Sequence, residues 1–85
     1  MKHVLLYETD DFSKAMEVFP RHQAWMAPFL ADGRLLEIGP FDPPTEGALA
    51  VFTSREAAEA FVAGDPFVLE GVVGAWKIVA WRSVS

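Results

Sequence analysis

Two side chains in this sequence have the chemistry to move a proton near neutral pH, or to support a group that does: His22 and Asp65. Imidazole titrates close to neutrality, so a histidine held out of bulk water is suited to general acid or base work. His22 continues a mostly apolar row, Ala15, Phe19, His22, Met26 and Phe29, spaced by four, three, four and three. That spacing is one face of a helix, and the ring is expected to face inward. On position alone it fits either a core histidine satisfied by a backbone carbonyl or an acid/base group. Asp65 stands between Gly64 and Pro66. It either turns the chain, as aspartate before proline commonly does, or offers its carboxylate to His22. A carboxylate bonded to one ring nitrogen fixes the tautomer and raises the basicity of the other.

Other residues carry weaker signals. Gly39-Pro40 is either a simple strand break or a place where backbone approaches a ligand. Arg34, beside Gly33, reads as a solvated charge or an anion clamp on the pocket wall. Pro66 and Phe67 would line the same pocket from the Asp65 turn. Trp25, Trp76 and Trp81 read as core and interface, His3 as structural or exposed, and Asp10-Asp11 as a loop. With two histidines and no cysteine, no metal-ligand spacing emerges and thiolate chemistry is excluded. There is no phosphate-cradling glycine loop and no nucleophile elbow.

Composition narrows the partners. The 85 residues carry a net charge of -5, which disfavours neutralising nucleic-acid phosphates. No apolar run approaches the roughly 20 residues needed to span a bilayer. Glu8 interrupts the amino-terminal apolar run too soon for a signal peptide. The expectation is a single cytoplasmic domain over residues 1–85, without membrane or nucleic-acid partners. A chain of this length buries only a little over ~60% of its unfolded surface, so it needs a partner or a very good core.

These residues must be positioned by short elements. His3 to Glu8 is too short for a helix and reads as a strand. Ser13 is a plausible cap for a helix that ends at Asp32-Gly33, kinked or restarted at Pro20. Leu35 to Phe41 and Ala48 to Phe52 read as strands, with a loop from Asp42 to Gly47 between them. Thr53 to Glu56 fits a capping box opening a second helix that stops at Gly64. Asp65 to Val68 reads as a turn, and Val72 to Arg82 as the last strand. The order βαββαβ is the ferredoxin-like α+β arrangement, an antiparallel sheet with both helices on one face. In that topology the end of the second helix lies near the start of the first, which would let His22 and Asp65 meet. The last strand is apolar on both faces, with Trp76 and Ile78 alternating with Ala75, Val79 and Trp81. An apolar second face predicts sheet-on-sheet homodimerisation.

Several motifs together resemble the YciI-like (YCII-related) proteins. They are Arg21-His22-Gln23-Ala24-Trp25, Asp32-Gly33-Arg34-Leu35-Leu36, Ile38-Gly39-Pro40, Ala57-Ala58, Gly64-Asp65-Pro66-Phe67-Val68 and Gly71-Val72. The resemblance implies a ferredoxin-like fold, dimers forming an α+β barrel, and a His–Asp pair proposed as catalytic, which maps onto His22 and Asp65. One member group is a dehydrochlorinase of a chlorinated hydroxyhydroquinone, and relatives in the wider superfamily isomerise muconolactone. The expected function is therefore lyase or isomerase chemistry on a small molecule, with no metal or organic cofactor required. The alternatives are a non-catalytic dimer that binds or senses a small molecule, and a purely structural dimer.

Overall fold

The computed structural model describes residues 1–84. Four strands, β1 (Lys2–Thr9), β2 (Leu35–Pro40), β3 (Ala48–Phe52) and β4 (Val73–Trp81), form one antiparallel sheet in the order β2-β3-β1-β4. Two helices, α1 (Ala15–Ala31) and α2 (Arg55–Gly64), and a single helical turn, α3 (Pro66–Leu69), complete the expected βαββαβ α+β fold.

The core lies between the sheet and the helices. Leu5 and Tyr7 of β1, Ala50 and Phe52 of β3 and Leu35 of β2 face Phe29 of α1 and Ala58 and Phe61 of α2. Phe52 and Phe61 are fully buried, with ring centroids 5.3 Å apart. Burying a side chain of this size contributes about 1.5–3 kcal/mol.

Local chemistry moved several boundaries. The Asp11 carboxylate accepts from the Ser13 amide and opens a 3-10 turn over Phe12–Lys14, so Ser13 lies inside the turn and α1 begins at Ala15. The helix then runs unbroken through Pro20 and Pro28. The carbonyls that lose their donors belong to Met16 and Ala24, both exposed, where water can replace the missing amides. On its buried side α1 presents Ala15, Val18, His22 and Phe29; Phe19 is pushed half into solvent and Val18 takes its place.

The capping box expected at Thr53 is absent, because the Thr53 amide is committed to the Arg34 carbonyl at 3.0 Å. Ser54 caps α2 instead, its Oγ accepting from the Ala57 amide at 3.1 Å. The turn expected at Asp65 is wound into α3, with Asp65 as its cap and Pro66 at its first position, where a missing amide costs nothing.

Gly47 shows why the loop before β3 needs glycine. Its φ is +117°, and a Cβ there would stand 2.1 Å from the Tyr7 carbonyl oxygen. The Gly47 segment therefore lies directly against the backbone of Tyr7. The register places Val4, Leu6, Leu49, Val51, Val79 and Trp81 on the face opposite the helices together with Lys2 and Lys77, a largely apolar surface with Val79 and Trp81 substantially exposed.

Candidate active site

α1 delivers His22 to the sheet side of the helix, and the break between α2 and α3 delivers Asp65 from the far end of the chain. The His22 Nδ1 and Asp65 Oδ1 lie 2.7 Å apart, with the carboxylate fully buried and the histidine only 6% exposed. Asp65 sits there for a local reason. It caps α3, its Oδ1 accepting from the Phe67 amide at 3.0 Å, and its extended backbone (φ -66°, ψ 119°) turns the side chain inward. A third contact reaches the same carboxylate: the Tyr7 hydroxyl donates to Oδ2 at 2.6 Å.

The imidazole is gripped by aromatic rings. Phe67 stacks on it, centroids 4.0 Å apart and planes within 10°, and Phe61 presents a near-perpendicular ring at 6.2 Å. Its second nitrogen is left free. Among the described residues, His3 Nδ1 is the only side-chain nitrogen or oxygen both sealed from solvent and without a partner. His22 Nε2, which makes no bond to the protein, therefore opens onto space. That space is a cavity of about 280 Å³ between α1 and the sheet, with His22 in its wall. Among the described residues, Tyr7 and Thr9 are the other polar side chains of the wall, and none that lines it is charged. Both hydroxyls are engaged, Tyr7 with Asp65 and Thr9 with the Pro44 carbonyl at 2.8 Å. Nε2 is thus the one uncommitted polar side-chain atom facing the hollow.

Of the expected wall residues, Gly39, Pro40 and Phe67 line the cavity. Arg34 and Pro66 do not. Arg34 is captured where it emerges from the Gly33 turn: its Nε lies 2.8 Å from Asp32 Oδ2, and its guanidinium sits 3.9 Å from the centre of the Phe29 ring. Pro66 spends its ring starting α3. Tyr7 is the member that sequence reading missed. The alternation of β1 places it on the same face as Leu5, yet nothing in the pattern separates an aromatic filler from a hydrogen-bond donor.

Burial pushes the Tyr7 phenol well above its ordinary value, and the charge of Asp65 and the hydrogen bond to it push the same way. A raised folded value stabilises the fold fully below the unfolded phenol value of about 10, and that contribution is lost as pH climbs above it. Denaturant titrations from pH 8 to 11 should therefore show stability falling by up to about 1.4 kcal/mol per pH unit beyond pH 10. Tyr7→Phe should lack that component; an identical alkaline decline in both proteins would contradict it.

The YCII-related domain model matches residues 1–82. The chain belongs to the YCII-related family. Protein YciI of Escherichia coli O6:H1 is 36% identical, the match covering 76% of this chain and 78% of that one, and Protein YciI of Shigella flexneri matches equally. Among solved structures, the 5-chloro-2-hydroxyhydroquinone dehydrochlorinase (TftG) of Burkholderia phenoliruptrix, in complex with 2,5-dihydroxybenzoquinone, has a similar fold. Its TM-score is 0.78 at 19% identity, over 96% of this chain and 94% of that one. An antibiotic biosynthesis monooxygenase matches over the full length of both chains with a TM-score of 0.64 at 12% identity. At such identities the likeness to these structures is one of fold. No helix among the described residues is long and apolar enough to cross a membrane.

Proposed function

We propose that this member of the YCII-related family is a small-molecule lyase or isomerase in which His22, oriented by Asp65, is the general base. The observation that carries this reading is the free Nε2 on the wall of an otherwise apolar cavity, backed by a fully buried carboxylate on the opposite nitrogen. Such a base removes a proton from a C–H or O–H next to a carbonyl. The electron pair then expels a leaving group from a neighbouring atom, or the proton returns to a different carbon. Positioned acid–base groups of this kind contribute about 10²–10⁴-fold.

The wall also selects. With no cation to pair it, a carboxylate or phosphate on the substrate would be desolvated at a cost of several kcal/mol. The fitting occupant is a compact, uncharged ring bearing few polar groups. The ring-shaped ligand of the dehydrochlorinase of similar fold supports this choice of probe. The test is a panel of neutral hydroxylated and halogenated quinols with their carboxylated analogues. Turnover of a neutral ring, and not of its carboxylated partner, is expected. Binding without product across the panel would instead identify a ligand-binding module.

The working unit in this proposal is a cytoplasmic homodimer joined through the open sheet face. Support comes from the apolar surface of Leu6, Leu49, Val79 and Trp81, and from the small core of so short a chain. Sedimentation at micromolar concentration should give a dimer, and Val79→Asp should shift it towards monomer. A wild-type monomer under those conditions would contradict the assembly.

A further inference from the structure

Tyr7 is the only tyrosine in the chain, and its hydroxyl is spent entirely on Asp65. We propose that Tyr7 is a positioning residue for the His22–Asp65 pair: by donating to Oδ2, it holds the carboxylate in the orientation that leaves His22 protonated at Nδ1 and bare at Nε2. This deepens the reading of His22 as the base and rests on it.

The argument is one of donors and acceptors. Asp65 receives three contacts, from the Tyr7 hydroxyl on Oδ2 and from the Phe67 amide and His22 Nδ1 on Oδ1. An amide cannot serve as an acceptor here, and a buried phenol next to a carboxylate keeps its proton. With both oxygens served by such donors, the carboxylate has no need of a proton of its own, and Nδ1 meets it as a donor. Without the Tyr7 hydroxyl, Oδ2 is buried and unpaired. The cheapest relief is a proton on the carboxylate or a rotation of its plane. A proton that settles on Oδ1 makes that oxygen a donor towards Nδ1, and a rotation breaks the contact; either releases Nδ1 from donating, and the ring can place its proton on Nε2, where the base is lost.

Tyr7 cannot drift out of this role. Its strand is paired on both sides, with Ala48 and with Trp76, and Gly47 lies against its carbonyl. No other ionisable group shares the task. On the elements packed around the pair, Glu17 and Arg21 of α1, Arg55, Glu56 and Glu59 of α2, Glu70 after α3 and Glu8 of β1 are all exposed. Glu37 of β2 and Lys77 of β4 are exposed as well, and Lys2 and His3 of β1 are half-buried. None of them hydrogen-bonds or ion-pairs with His22, Asp65 or Tyr7; Arg21 pairs with Glu70.

The test is the imidazole 15N spectrum of the full chain. Wild type is expected to show His22 protonated at Nδ1, and Tyr7→Phe to lose this signature in favour of the Nε2–H form. A Tyr7→Phe protein that melts earlier but keeps the wild-type tautomer overturns the proposal and leaves a purely structural hydroxyl. If wild type itself carries the Nε2–H form, it is the reading of His22 as base that falls. Should Tyr7→Phe fail to fold, growth on 3-fluorotyrosine alters this one site alone. The fluorinated phenol is a stronger donor to Oδ2, so it weakens the bond at Oδ1. The His22 Nδ1 proton resonance should then move upfield from wild type, and an unmoved resonance overturns the proposal.

Discussion

Asp65→Ala is expected to lower the stability of this domain by about 3–5 kcal/mol. The substitution strips three donors of their acceptor at once. The Tyr7 hydroxyl and His22 Nδ1 become buried and unpaired, each at roughly 1–3 kcal/mol. The Phe67 amide loses the cap of α3, worth about 1 kcal/mol. Small domains are stable by about 5–15 kcal/mol in total, so this is a large fraction. At about 4–8 °C per kcal/mol for this size, Tm should fall by more than 10 °C, measured by calorimetry. Asp65→Asn should behave differently. Its amide oxygen still accepts from Phe67 and His22, and the Tyr7 hydroxyl can turn to accept from the new NH₂ group. Most of the stability should return, within about 1–2 kcal/mol of wild type. What does not return is the negative charge beside the imidazole, so under the proposed mechanism a folded Asp65→Asn protein should turn over poorly. An Asp65→Ala protein with wild-type Tm would show that the three bonds carry no net stability.

His22→Gln is expected to reduce turnover about 10²–10⁴-fold on any neutral ring that the wild type converts. Glutamine is chosen because its amide can still donate to Asp65 Oδ1, so the carboxylate keeps a partner and the fold survives. The stacked Phe67 ring and the Phe61 edge should hold the shorter planar group with modest loss. The effect should appear mainly in kcat, since the apolar wall that binds the ring is unchanged. Comparable rates in His22→Gln and wild type would remove the imidazole from the chemistry and leave the cavity as a binding pocket.

The path from sequence to site was short where spacing and topology did the work. The helical row through His22 and the βαββαβ order sufficed to bring His22 and Asp65 together, because β1 and β3 are antiparallel neighbours and carry α1 and α2 with them. Gly39 and Pro40 reached the cavity because β2 ends beside it. Arg34 did not, since its carboxylate neighbour Asp32 and the Phe29 ring take the guanidinium before it can reach inward. The helix boundaries shifted where one side chain captured an amide, as at Asp11 and Ser54. Tyr7 was illegible for a deeper reason: strand alternation gives the face of a residue, but the partner of its hydroxyl comes from 58 residues away.

The most direct measurement is the long-range 1H–15N spectrum of the two histidines in the wild-type protein near pH 7.5. His22 is expected to show a protonated Nδ1 hydrogen-bonded to a carboxylate and a bare, pyridine-like Nε2. A ring protonated at Nε2, or one with no coupling to Asp65, would contradict the assignment of His22 as a base facing the cavity.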